Sequence, residues 1–121
     1  MSNATEAELA VLKVLWDRGP CLIREIAESI YGEHSQTKHT TVKTLLARLT
    51  AKGLVDSDPS QYAHKFSALL TQQEYVAIEI QKLADSHFSG ALAPMVMTLF
   101  QHGKLGPKER KRIRKIIEGM E

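Results

Sequence analysis

The chain has 121 residues, of which 43% are hydrophobic, 6% aromatic and 25% charged, with a single cysteine and a formal net charge of +2. That length fits one domain or a domain with a small extension, and the scarcity of aromatics suits small helices better than a β-sandwich. One cysteine excludes an intramolecular disulfide and a thiolate metal cluster within the chain. No apolar run approaches the roughly 18 residues of a membrane span, and no basic region followed by an apolar core opens the chain. A cytoplasmic protein without membrane insertion is therefore expected. The net charge is too small to imply a nucleic-acid partner by itself, so any such argument must rest on local charge.

Thr5-Glu6-Ala7-Glu8 reads as a capping box, the Thr5 hydroxyl accepting from a backbone amide and Glu8 reaching back to the Thr5 amide. Leu9, Leu12, Leu15 and Trp16 then build an apolar stripe, and Arg18-Gly19-Pro20 stops this first helix. Cys21-Leu22 is long enough for one bridge of a small sheet. Ile23, Ile26, Ala27 and Ile30 give a second, shorter helix ending near Gly32. Its start has Leu22 where a capping side chain would stand, which should weaken that end by about 1 kcal/mol. Glu33 to Lys38 reads as a polar loop.

The third helix, from Thr40 to Lys52-Gly53, is the centre of the chain. Val42, Leu45, Leu46 and Leu49 recur at helical spacing. At about 100° per residue, Thr40, Lys43, Thr44 and Ala47 fall opposite, with Thr41 and Arg48 at the flanks. No Asp or Glu occurs between Glu33 and Asp56, whereas Lys38, Lys43, Arg48 and Lys52 all do. Small hydroxyls and cations on such a face suit a DNA major groove, the cations reaching phosphate or guanine and threonine a base edge or a thymine methyl. The same pattern taken alone fits an ordinary surface helix with solvated charges. The order of elements is that of a helix-turn-helix, with a loop longer than the usual tight turn.

After Gly53 the period changes. Leu54 to Ser57 and His64 to Leu69 read as two short strands around the turn residues Asp58-Pro59-Ser60-Gln61. A hairpin in this place is the wing of a winged helix-turn-helix. His64 and Lys65 could touch backbone phosphate there, or be solvated strand residues.

Thr71-Gln72-Gln73-Glu74 is a second capping box, opening a long helix with Tyr75, Val76, Ile80, Leu83 and Phe88 that Ser89-Gly90 breaks. Leu92, Met95, Val96, Leu99 and Phe100 form the stripe of a fifth helix, with Pro94 in its first turn. Pro107 fits the first position of a sixth, which carries Ile113, Ile116, Ile117 and Met120. Three amphipathic helices of this size cannot bury so much apolar surface alone. A two-fold dimer would bury it and hold two reading helices over a palindrome. The expected dimer contacts are Leu83, Phe88, Leu92, Met95, Val96, Leu99, Phe100, Ile113, Ile116 and Ile117. Arg110, Lys111, Arg112, Arg114 and Lys115 make the last helix basic, which reads as a solvated face.

Three stretches, AELAVLKVLWDRGPCLIREIAESI, KHTTVKTLLARLTAKGLV and SALLTQQEYVAIEI with FSGALAPMVMTLFQHGKLGPKERKRIRKII, together resemble the penicillinase-repressor family, the BlaI/MecI/CopY group of winged-helix bacterial repressors. The resemblance spans essentially the whole chain. It implies a mainly α fold with a small β-wing: a winged helix-turn-helix DNA-binding domain over residues 1–70 and a three-helix dimerisation region over 71–121. It further implies a homodimer that represses transcription from an inverted-repeat operator. Groove contacts would come from Thr40, Thr41 and Lys43, with Thr44 and Arg48 near the backbone. Lys38, His39, His64 and Lys65 complete the expected DNA-binding set.

In the β-lactam-responsive branch of that family a membrane sensor protease is the implied partner, and cleavage falls in the fifth helix, commonly at an Asn-Phe bond. The aligned pair here is Thr98-Leu99, which departs from that specificity. The copper-responsive branch carries a C-terminal cysteine cluster, which this chain does not have. The histidines at 34, 39, 64, 87 and 102 lack paired helical spacing, so neither a metal site nor a cofactor is expected. A winged-helix module that binds protein instead of DNA is the alternative function, since fold does not fix function. Such a module should place acids or large apolar residues on the outer face of the third helix, and this chain has neither. An enzyme is not expected: no nucleophile–base pair, phosphate-binding glycine loop or zinc motif can be placed.

Overall fold

A computed structural model describes residues 4–59 and 64–120. Its elements in chain order are α1 (Glu6–Arg18), α2 (Ile23–Tyr31), α3 (Gln36–Ala51), β1 (Val55–Asp58), β2 (Lys65–Ala68), α4 (Gln72–His87), α5 (Leu92–His102) and α6 (Pro107–Gly119). The fold is mainly helical with one antiparallel hairpin after α3, the order of a winged helix. The expected turn residues Ser60 and Gln61 lie outside the described residues.

Local signals set most helix ends. Thr5 accepts from the Glu8 amide at 3.2 Å while Glu8 Oε1 accepts from the Thr5 amide at 2.9 Å. Thr71 and Glu74 repeat the box at 3.1 and 2.8 Å, and that pair of contacts holds the Glu74 carboxyl below its usual range. At α2, where Leu22 offers no capping side chain, the Glu25 carboxylate accepts from the Leu22 amide at 2.8 Å. Half of a capping box thus offsets part of the weakness expected there. Gly32 (φ 74°) ends α2 in the left-handed region that an L side chain avoids.

The sequence-based start of α3 needs correction. Residues 33–38 are not one loop: Ser35 caps the helix, accepting from the Lys38 amide at 3.2 Å, and Gln36, Thr37 and Lys38 form the first turn. Their polarity reflects exposure, not irregular backbone. The link between α2 and α3 consequently shortens to residues 32–35, the tight turn of a helix-turn-helix.

The chain divides into two compact units, Met1–Val76 and Ala77–Glu121. In the first, Val42, Leu45, Leu46 and Leu49 of α3 pack with Val11, Leu12 and Leu15 of α1 and with Ile26 and Ala27 of α2. Leu54 and Val55 extend this core into the hairpin. The hairpin register pairs Val55 with Ala68 and Asp58 with Lys65. On the other edge of β2, Cys21 and Phe66 exchange two backbone hydrogen bonds of 2.9 and 2.8 Å, the single bridge anticipated at Cys21. The Cys21 thiol is buried and lies 3.3 Å from the Gly19 carbonyl oxygen, and burial, with the nearby Glu25 carboxylate, pushes it up from its usual range. Trp16 is half-buried, donates to the Leu70 carbonyl at 3.0 Å and tilts against Tyr75.

One contact in this unit has no local sequence signal. Glu8 is 1% exposed, and the Lys52 ammonium, 44 residues away at the end of α3, donates to its Oε1. Burial pushes the Glu8 carboxyl up, but Lys52 and the Thr5 contacts outweigh it and hold the group below its usual range. The cation grouped with the outward charges of α3 is therefore tied to α1 instead.

In the second unit Ser89 (φ 51°) and Gly90 (φ 83°) end the run begun by α4. Arg110 joins α6 to α5: its guanidinium donates to the carbonyls of Phe100 and Leu105 and lies 5.3 Å from the centre of the Phe100 ring. It thus departs from the solvated face expected for the basic residues of α6. Gly103 caps α5 so tightly that a Cβ would sit 2.5 Å from the Leu99 carbonyl oxygen. Gly103→Ala is expected to cost about 1–3 kcal/mol in the second unit, visible as an earlier loss of helical circular dichroism on heating.

Candidate nucleic-acid interface

The outward face of α3 is built by the burial of its opposite side. With Val42, Leu45, Leu46 and Leu49 in the core, Thr40, Thr41, Lys43, Thr44 and Arg48 are all exposed. Acids are absent from the first turn of α3. A helix start is the positive end of the backbone dipole, and acids there would stabilise it. Leaving them out keeps that end open to an external anion such as phosphate.

The threonines of this face are not free donors. Thr40, Thr41 and Thr44 donate to the carbonyls of Gln36, Thr37 and Thr40, each at 3.0 Å. Their oxygens keep lone pairs that can accept from a base amino group, and their methyl groups can contact thymine. On a nucleic acid these side chains would therefore offer acceptors and methyl groups, and donors would have to come from Lys43 and Arg48.

Lys38 is held back toward α2, its ammonium 4.4 Å from the centre of the Tyr31 ring. His39 faces His34, with Nδ1 of one ring 2.9 Å from Nε2 of the other. They are five positions apart, which is not a helical spacing; the cap at Ser35 folds one back over the other. His64 is exposed just before β2, and Lys65 is half-buried in β2 opposite Asp58.

The residues expected to dimerise lie in the second unit. Neither α5 nor α6 buries a single residue. Leu83, Leu92, Leu99, Ile116 and Ile117 are each between 45% and 50% exposed. Val96 is exposed, and Phe88, Met95, Phe100 and Ile113 are half-buried. Thr98 and Leu99 are both exposed within α5, and the Thr98 hydroxyl donates to the Pro94 carbonyl. Among the described residues no three His, Cys, Asp or Glu side chains cluster as a metal centre, and no helix is long and apolar enough to cross a membrane.

A tight helix-turn-helix, a hairpin directly behind its third helix and an acid-free outer face define a winged helix-turn-helix protein. The family model for the penicillinase repressor matches residues 4–119, and the chain belongs to that family. This is a family of transcriptional repressors, not of enzymes. The chain is 22% identical to the penicillinase repressor of Bacillus licheniformis, over 94% of this chain and 88% of that protein. It is 27% identical to the transcriptional regulator BlaI of Mycobacterium tuberculosis, over 100% of this chain and 87% of that one. A solved structure of Bordetella bronchiseptica BpsR is similar at 21% identity and a TM-score of 0.47, covering 96% of this chain and 78% of the other.

Proposed function

We propose that this protein is a cytoplasmic homodimeric repressor that places α3 in the major groove of an inverted-repeat operator. The observation that carries the reading is the outer face of α3, where Thr40, Thr41, Lys43, Thr44 and Arg48 are exposed and no acid intervenes. Lys43, with Thr40 and Thr41, reads bases. Arg48, Lys38, His39 and the wing residues His64 and Lys65 contact the phosphate backbone. The two domains are the winged helix of residues 1–70 and the dimerisation region of 71–121. The dimer is supported by the exposed apolar residues of α4, α5 and α6. The relatives named for penicillinase repression point to an antibiotic-response system of the same type, relieved by a membrane sensor protease or by another signal. Thr98-Leu99 is the place on α5 where cleavage would disconnect the dimer.

The test is a titration of the protein on a duplex from its own upstream region against a scrambled duplex, at two salt concentrations. Preference for the native duplex that survives the higher salt is expected. Backbone contacts alone would give equal binding to both and a steep loss with salt. Lys43→Ala is expected to cost about 1–3 kcal/mol on the native duplex and much less on the scrambled one. Equal losses on the two would remove Lys43 from base reading, and no binding to either would favour a protein-binding winged helix.

A further inference from the structure

His34 and His39 meet at the start of α3 in a way the DNA-binding reading does not require. His34 precedes the Ser35 cap and His39 is the fourth residue of the helix. These are the two positions at which apolar side chains commonly staple a helix start. Here the staple consists of two imidazoles, with ring centres 5.1 Å apart and planes inclined by 59°. The backbone fixes both positions, since Ser35 caps the Lys38 amide and its carbonyl accepts from the His39 amide at 2.9 Å. His34 is exposed and His39 half-buried, so the pair is reached from solvent.

We propose that His34 Nε2 and His39 Nδ1 form a bidentate site for a divalent transition cation of the zinc type. Two nitrogens on a tetrahedral zinc at about 2.0–2.1 Å lie about 3.3 Å apart. The facing nitrogens share a hydrogen bond of 2.9 Å, so the ion enters by displacing the proton between them, with the rings parting by a few tenths of an ångström and turning until both lone pairs converge on it. Imidazole donors favour zinc, nickel and copper, whereas magnesium and calcium seek oxygen. With no third His, Cys, Asp or Glu gathered there among the described residues, the remaining positions fall to water. The positive start of α3 and the Lys38 ammonium, held over Tyr31, both oppose a cation. Affinity is therefore expected in the micromolar range, weaker than a closed structural zinc site.

The role of the site rests on the proposed DNA contact. A cation held beside Thr40 and Lys43 adds charge to the face aimed at DNA, and its open positions can take a phosphate oxygen. Zinc would then act as a co-repressor through α3 itself.

Calorimetric titration of the full chain with zinc chloride, without DNA, tests the site. One equivalent per chain is expected, with His34→Gln and His39→Gln each weakening it by roughly tenfold or more. His64→Gln should leave it unchanged. Equal zinc affinity in the His34→Gln/His39→Gln double variant overturns the site. Titration on the upstream duplex with and without zinc tests the coupling: tighter binding with zinc, lost in the double variant, supports it. Unchanged duplex affinity alongside intact zinc binding overturns the co-repressor role. Failure to bind duplex under any condition counts against the repressor reading, while the zinc titration still decides the site.

Discussion

Lys52→Met is expected to lower the unfolding free energy by about 3 kcal/mol at pH 7 in urea denaturation. The substitution keeps an aliphatic stem of similar size but leaves the buried Glu8 carboxylate without that cation. A carboxylate in low dielectric without its countercharge either stays ionised at great cost or takes up a proton. The Glu8→Gln/Lys52→Met pair should recover most of the loss, because glutamine still reaches the Thr5 amide and no buried charge remains. The pH dependence has a defined sign. Because folding holds the Glu8 carboxyl below its ordinary value of 4.5, its contribution is present above that value and lost as pH falls through the folded one. Glu8→Gln should flatten that part of the acid limb. An unchanged acid limb would show that the pair adds nothing to folding.

Leu99→Asp should reduce affinity for the upstream duplex by roughly 100-fold or more while leaving the far-ultraviolet spectrum intact. Leu99 is 47% exposed on α5, next to no buried neighbour of its own helix. A carboxylate costs little on a surface that faces water and a great deal on one that faces another apolar helix. If α5 and α6 meet a second copy, the substitution separates the protomers, and each half-site is then held alone. The second reading helix no longer benefits from the effective concentration the first one gave it. Sedimentation at matched concentrations should show a monomer. A variant that remains dimeric with full affinity would place the interface elsewhere.

These expectations depend unequally on what the sequence displays. The stripe Val42, Leu45, Leu46 and Leu49 and the boxes at Thr5 and Thr71 rest on neighbours within a few residues, so spacing alone locates them. The Pro107 helix start is local in the same way. The Ser35 cap is also local, yet the residue three places on is Lys38 where a capping box would have Glu or Gln, so the signature is incomplete. Glu8 with Lys52 and Arg110 with Phe100 are contacts between helices. Their sequence separations carry no period, and each residue looks like a solvated charge until packing places it. The outer face of α3 was readable because burying one side of a helix dictates the other. The hydroxyl donors of that face were not, since helix geometry turns them onto the preceding carbonyls.

The two hydrogen bonds between Cys21 and Phe66 have a consequence for the energetics of docking. They fasten the hairpin to the segment between α1 and α2, and α2 and α3 share the core to which Cys21 belongs. A hairpin anchored on that side moves with α3, so little backbone freedom would be left to freeze on the proposed docking of the two onto DNA. Those two amides should be among the slowest of the hairpin to exchange with deuterium. DNA association through this unit should then show a rapid, nearly rigid-body on-rate and only a small heat-capacity change beyond the surface it covers.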